Sequence, residues 1–141
     1  MASDTARGTK TKLSRAATAL AAVMAVNIIL IILLTPLGFE TRQIPELKPL
    51  GYVAIATIFV GLAMDLASVA LLFKRTKIKL ASGMAIVSSV LFFLIIIVDR
   101  TGSFFSVPIP PAISTLEYLL IVALVVTLPL ALKVFDESGS A

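Results

Sequence analysis

The chain contains no cysteine and no histidine. Their absence excludes disulfides, thiolate chemistry, zinc sites built on those ligands and most haem ligation. It also confines any catalytic chemistry to Asp, Glu, Ser, Lys and Tyr. Carboxamides are almost as scarce, with one asparagine, Asn27, and one glutamine, Gln43. Charge is sparse as well. Only 14% of residues are charged and 59% are hydrophobic, against about 25% and about 45–50% in soluble domains. A chain of 141 residues with that balance is expected to be one domain of a membrane protein.

What is present in their place is four long apolar runs. A bilayer core about 30 Å thick takes about 20 helical residues to cross. The runs predict helices at about 16–37, 51–73, 80–98 and 113–135. The fold class that follows is an all-α integral membrane protein, its four transmembrane helices in a compact antiparallel bundle spanning residues 13–135. Residues 1–12 and 136–141 are small and polar and are expected to be disordered tails. The first run is too long for a signal peptide and lacks a small-residue cleavage site at "TPLGFE", so it is expected to be a retained signal anchor.

The net charge of +4 does not point to nucleic acid, because the basic residues flank the apolar runs. Nine of the twelve lie on one side: Arg7, Lys10, Lys12 and Arg15, then Lys74, Arg75, Lys77 and Lys79, then Lys133. Cytoplasmic segments collect Lys and Arg near span ends. Both termini are therefore expected in the cytoplasm and the protein in the cell membrane. On the other side, "SVPIPPA" and its neighbours Phe104 and Phe105 read as a stiff loop resting on lipid headgroups, or as a ledge for a neighbouring protein.

Inside lipid, helices associate through small residues and interhelical hydrogen bonds. Ala17, Ala21 and Ala25 of the first span, Ala81, Ala85 and Ser89 of the third, and Gly61, Ala63, Ala67 and Ala70 of the second are the candidate packing positions.

Depth along each helix brings polar residues to a common layer. At about 1.5 Å per residue, Asn27, Ser88 and Ser89 fall near the bilayer centre, with Asp65 roughly 4 Å and Thr127 roughly 6 Å from it. Pro129 frees the carbonyl of Val125 near the same level. Asp65 stands out, because a charge at mid-bilayer costs about 2.5–3.5 kcal/mol on insertion scales. Its nearest basic neighbour on its own helix, Lys74, is roughly 13 Å away. Either Asp65 is neutral and donates a hydrogen bond to Asn27, a serine or the freed carbonyl, or its countercharge comes from outside the chain. Glu117, roughly 9 Å toward the opposite face of the membrane, is expected at a helix start where the macrodipole favours a carboxylate. Asp99–Arg100 is expected simply to close the third span at the interface.

These features argue against an enzyme. Ser88 and Ser89 have no histidine to relay a proton, the carboxylates Asp65 and Glu117 are roughly 13 Å apart in depth, and no phosphate-loop, dinucleotide or zinc-protease motif occurs. No cofactor and no metal is expected. The expected role is a non-catalytic accessory subunit of a larger membrane complex, energy-transducing complexes included, with lipids and other membrane subunits as partners. The alternative is a small homo-oligomeric transporter or channel that couples protons or cations at Asp65.

Overall fold

A computed structural model of the chain describes residues 2–42 and 47–140, with side chains described over 15–40 and 47–138. Four helices make up almost all of it: α1 (Ala2–Arg42), α2 (Pro49–Lys74), α3 (Ile78–Arg100) and α4 (Pro111–Ser140). Each holds a segment long and apolar enough to cross a membrane, namely Arg15–Glu40, Pro49–Lys74, Ile78–Arg100 and Pro111–Ser138.

The helices overrun the expected boundaries, for identifiable reasons. Pro49 and Pro111 open α2 and α4, where a missing N–H and a fixed φ suit the first helical position. Pro36 lies inside α1 without ending it. It forfeits one backbone bond, but in an apolar medium continued helix is what keeps the neighbouring backbone groups paired. Thr35 donates its hydroxyl to the Ile31 carbonyl at 2.8 Å just before this proline. Helix also covers the segments predicted as disordered tails, since α1 starts at Ala2 and α4 runs to Ser140. Gln43 lies outside the described residues.

Only residues 75–77 separate α2 from α3. Arg75 (φ 57°) and Lys77 (φ 48°) both take left-handed backbone there, a conformation uncommon outside glycine. The Arg75 N–H donates to the Leu72 carbonyl at 3.2 Å, and its Nη1 reaches the same oxygen at 2.7 Å. Its Nη2 donates to Thr18 of α1. One side chain thus satisfies the open carbonyl end of α2 and ties the link to α1.

α1 packs against α2 and α4, and α3 packs against the same two helices. The core divides into three clusters along the helix axes. At the end carrying the basic link, Ala17, Leu20, Ala21, Met24, Leu72, Ala81, Ala85, Ala131 and Val134 meet. Midway lie Ile31, Phe92, Ile96, Leu120 and Leu124. At the far end, Leu47, Ala54, Phe104 and Phe105 form the third cluster.

That far end corrects an expectation. Phe104 and Phe105 are each only 6% exposed, so they are not resting on headgroups. The two long connections are fastened to each other. The Lys48 N–H donates to the Phe104 carbonyl at 2.6 Å and Leu47 bridges Phe105. Lys48 Nζ also donates to the Gly102 carbonyl at 2.9 Å, and the Phe105 ring packs at 5.5 Å from Phe39. Gly51 lies under this cover, where an added Cβ would come within 2.9 Å of the Phe104 carbonyl. The burial arises from pairing between two segments more than fifty residues apart, a long-range effect that composition does not reveal.

Candidate functional site

The expected polar layer resolves into separate interhelical pairs. In the first, Asn27 of α1 donates its Nδ2 to Thr127 Oγ1 of α4 at 2.8 Å. Thr127 gives its own proton to the Ala123 carbonyl one turn back, at 2.7 Å. Its oxygen can therefore only accept from Asn27, which fixes the amide with nitrogen toward α4. Asn27 Oδ1 is buried and has no hydrogen-bond partner among the described residues.

In the second pair, Asp65 of α2 meets Ser88 of α3. Asp65 is 3% exposed and Ser88 fully buried. Ser88 Oγ also contacts the Ala85 carbonyl at 3.1 Å. Ser88 Oγ donates to Asp65 Oδ1, and the Ala85 carbonyl lies alongside as a second, longer acceptor for the same hydroxyl. The Asp65 carboxyl bonds Ser88 and not the carbonyl that Pro129 frees at Val125. Among the described residues no hydrogen bond joins the Asn27–Thr127 pair to the Asp65–Ser88 pair. Ser89 is buried beside Ser88 at 2% exposure.

Ser68 is a third connection, one that depth alone does not reveal. It is fully buried, donates to the Ala81 carbonyl of α3 at 2.6 Å and lies 3.4 Å from Met24 Sδ of α1. The signal was its spacing. Gly61, Asp65, Ser68 and Leu72 repeat at the i, i+4, i+7, i+11 positions of one helix face, and all four are buried. Ala63, Ala67 and Ala70 lie off that face and are exposed, so they are not the packing surface of α2. Gly61 is, with Phe92 so close that an added Cβ would come within 2.7 Å of Phe92 Cζ. Ala17, Ala21, Ala81 and Ala85 are buried together, while Ala25 is half-buried.

Glu117 is more deeply placed than a helix start with partial hydration. It is the seventh residue of α4 and only 2% exposed. Arg100 Nη2 of α3 lies 3.9 Å from Glu117 Oε1, and the same guanidinium stacks 4.2 Å over the Tyr118 ring. Asp99 and Arg100 close α3 but point different ways, since adjacent helical residues diverge. Asp99 turns inward to 6% exposure, while Arg100 turns toward α4. Asp99 and Glu117 both line a cavity of about 70 Å³ at the far end, walled by Ile31, Phe39, Ile58 and Phe92. That volume is well below the roughly 300–1,000 Å³ of small-molecule pockets.

Among the described residues no three carboxylates converge as a metal site. What these groups do chemically is join helices: α1 to α4, α1 to α2, α2 to α3 twice, and α3 to α4. No family model, curated protein or solved structure matches this chain.

Proposed function

We propose that the chain is a non-catalytic accessory subunit of a larger membrane protein complex. The observation that carries this reading is the division between inside and outside. Asn27, Asp65, Ser68, Ser88, Glu117 and Thr127 turn inward and link the helices of this chain. Outward, all four helices present large apolar residues such as Ile29, Phe59, Leu94 and Val122. A surface of that kind suits lipid and the packing of other transmembrane helices. Ser88 removes one earlier reason for invoking a partner, since Asp65 finds a hydrogen bond within its own chain. The accessory role therefore rests on the outer faces and the short connections, not on a missing countercharge.

In the same reading the helices form an antiparallel bundle in the cell membrane with both termini in the cytoplasm, the first span acting as a signal anchor. The clustering of early α1 with late α2, early α3 and late α4 supports alternating directions. The nine basic residues at that end support the orientation.

The test is photocrosslinking from the exposed face, with a photoreactive residue at Phe59, which is 66% exposed. Adducts of fixed mass with another membrane polypeptide are expected. Adducts with lipid or with this chain alone would contradict the proposal.

A second reading is a homo-oligomeric transporter or channel coupling protons or cations at Asp65. The buried, unpartnered Asn27 Oδ1 favours it, because a passing cation or water would satisfy that oxygen. Proton or cation flux in vesicles, abolished by Asp65→Asn, would establish this reading in place of the first.

A further inference from the structure

A groove runs along the outer face of α3 from the basic end. It is lined by Leu80, Gly83 and Val87 of α3, Met64 of α2 and Phe135 of α4, with Lys79 at its head. Its volume is about 560 Å³. Gly83 keeps it open, for an added Cβ there would meet only the Phe135 ring, at 3.7 and 3.9 Å. Lys79 Nζ sits 5.1 Å from the centre of that same ring, so the ammonium is held over the mouth of the groove.

From Lys79 to Val87 is eight residues, or roughly 12 Å of helix. That nearly matches the roughly 15 Å depth of one leaflet's hydrocarbon. The head of the groove has the charge opposite to a phosphate. Lys74, Arg75, Lys77 and Lys79 cluster in and beside the link. α3 also begins there with no side-chain cap and no acidic residue in its first turn, leaving the positive end of its dipole for an anion.

We infer that this groove holds an acyl chain of an anionic phospholipid whose phosphate rests on Lys79 at the start of α3. The shape supplies the apolar contact and the basic end supplies the selectivity. The site is independent of whether the chain serves a complex or transports ions.

The test uses the full chain, delipidated in detergent and titrated with dioleoyl phosphatidylglycerol or dioleoyl phosphatidylcholine, with bound lipid counted by native mass spectrometry. Phosphatidylglycerol is expected to be retained in preference. Lys79→Gln is expected to weaken it about fivefold, the worth of one lysine at an anionic lipid, while Arg15→Gln at the same end changes it much less. Gly83→Leu, which fills the groove, is expected to lower retention with helix content and monomer mass unchanged. Equal retention of the two lipids, or equal effects of Lys79→Gln and Arg15→Gln, would overturn the inference. So would full competition by chainless glycerol phosphate, or a change in oligomeric mass with Gly83→Leu, which would mark the groove as a protein contact.

Discussion

Asn27 and Thr127, one hundred residues apart in sequence, are joined by a 2.8 Å hydrogen bond that closes α1 onto α4. The Thr127 proton is already committed to Ala123, so the direction of the bond is set and the Asn27 oxygen is left over. Interhelical hydrogen bonds in lipid average about 0.6 kcal/mol and reach about 1.7 kcal/mol.

A double-mutant cycle of Asn27→Leu with Thr127→Val is expected to return a coupling within that range, read from unfolding in mixed detergent micelles. Asn27→Leu also removes the unpartnered oxygen, so it should destabilise less than Thr127→Val, which strands the amide as well. A coupling of zero would mean that the two side chains do not bond.

Asp65 and Ser88 make a different prediction, because only one member is ionisable. Asp65→Asn keeps a group able to bond Ser88 and should cost little. Ser88→Ala leaves a buried carboxyl without its partner, at about 1–3 kcal/mol. Thermal unfolding in detergent should therefore rank Ser88→Ala as the more destabilising change, and the reverse order would contradict the pairing.

Gly61 touches Phe92, with no room for a further carbon between them. Gly61→Ala should destabilise by about 1–3 kcal/mol, the usual range for overpacking, and Phe92→Leu should relieve much of that loss in the double variant. Independent, additive losses would show that the two residues do not share the site.

The topology can be read with introduced thiols, since the chain has no cysteine of its own. Ser103→Cys, in the far connection, should react with an impermeant maleimide from outside intact cells. Thr76→Cys, exposed in the basic link, should react only after the membrane is opened. The opposite pattern would invert the orientation.

The four apolar spans were legible because each exceeds the length a bilayer demands, although the helices run on beyond the apolar residues at several ends. Depth was legible for the same reason, which is why Asn27, Asp65, Ser88 and Thr127 stood out. Their pairing was not, because rise along an axis says nothing about rotation around it. In α2, apolar all round, small residues at Ala63, Ala67 and Ala70 looked equivalent to Gly61, yet they face outward. Ser68 was overlooked although its spacing from Asp65 placed it on the same face. Phe104, Phe105 and Asp99 were misplaced because their burial depends on how two distant connections fasten together over the far end.

The central claim is that the apolar outer faces meet other membrane subunits. The most direct measurement is the intact mass of the assembly extracted from its own membrane in mild detergent. A hetero-complex containing this chain at fixed stoichiometry is the expected result. A lone monomer, or an assembly made of this chain only, would contradict it.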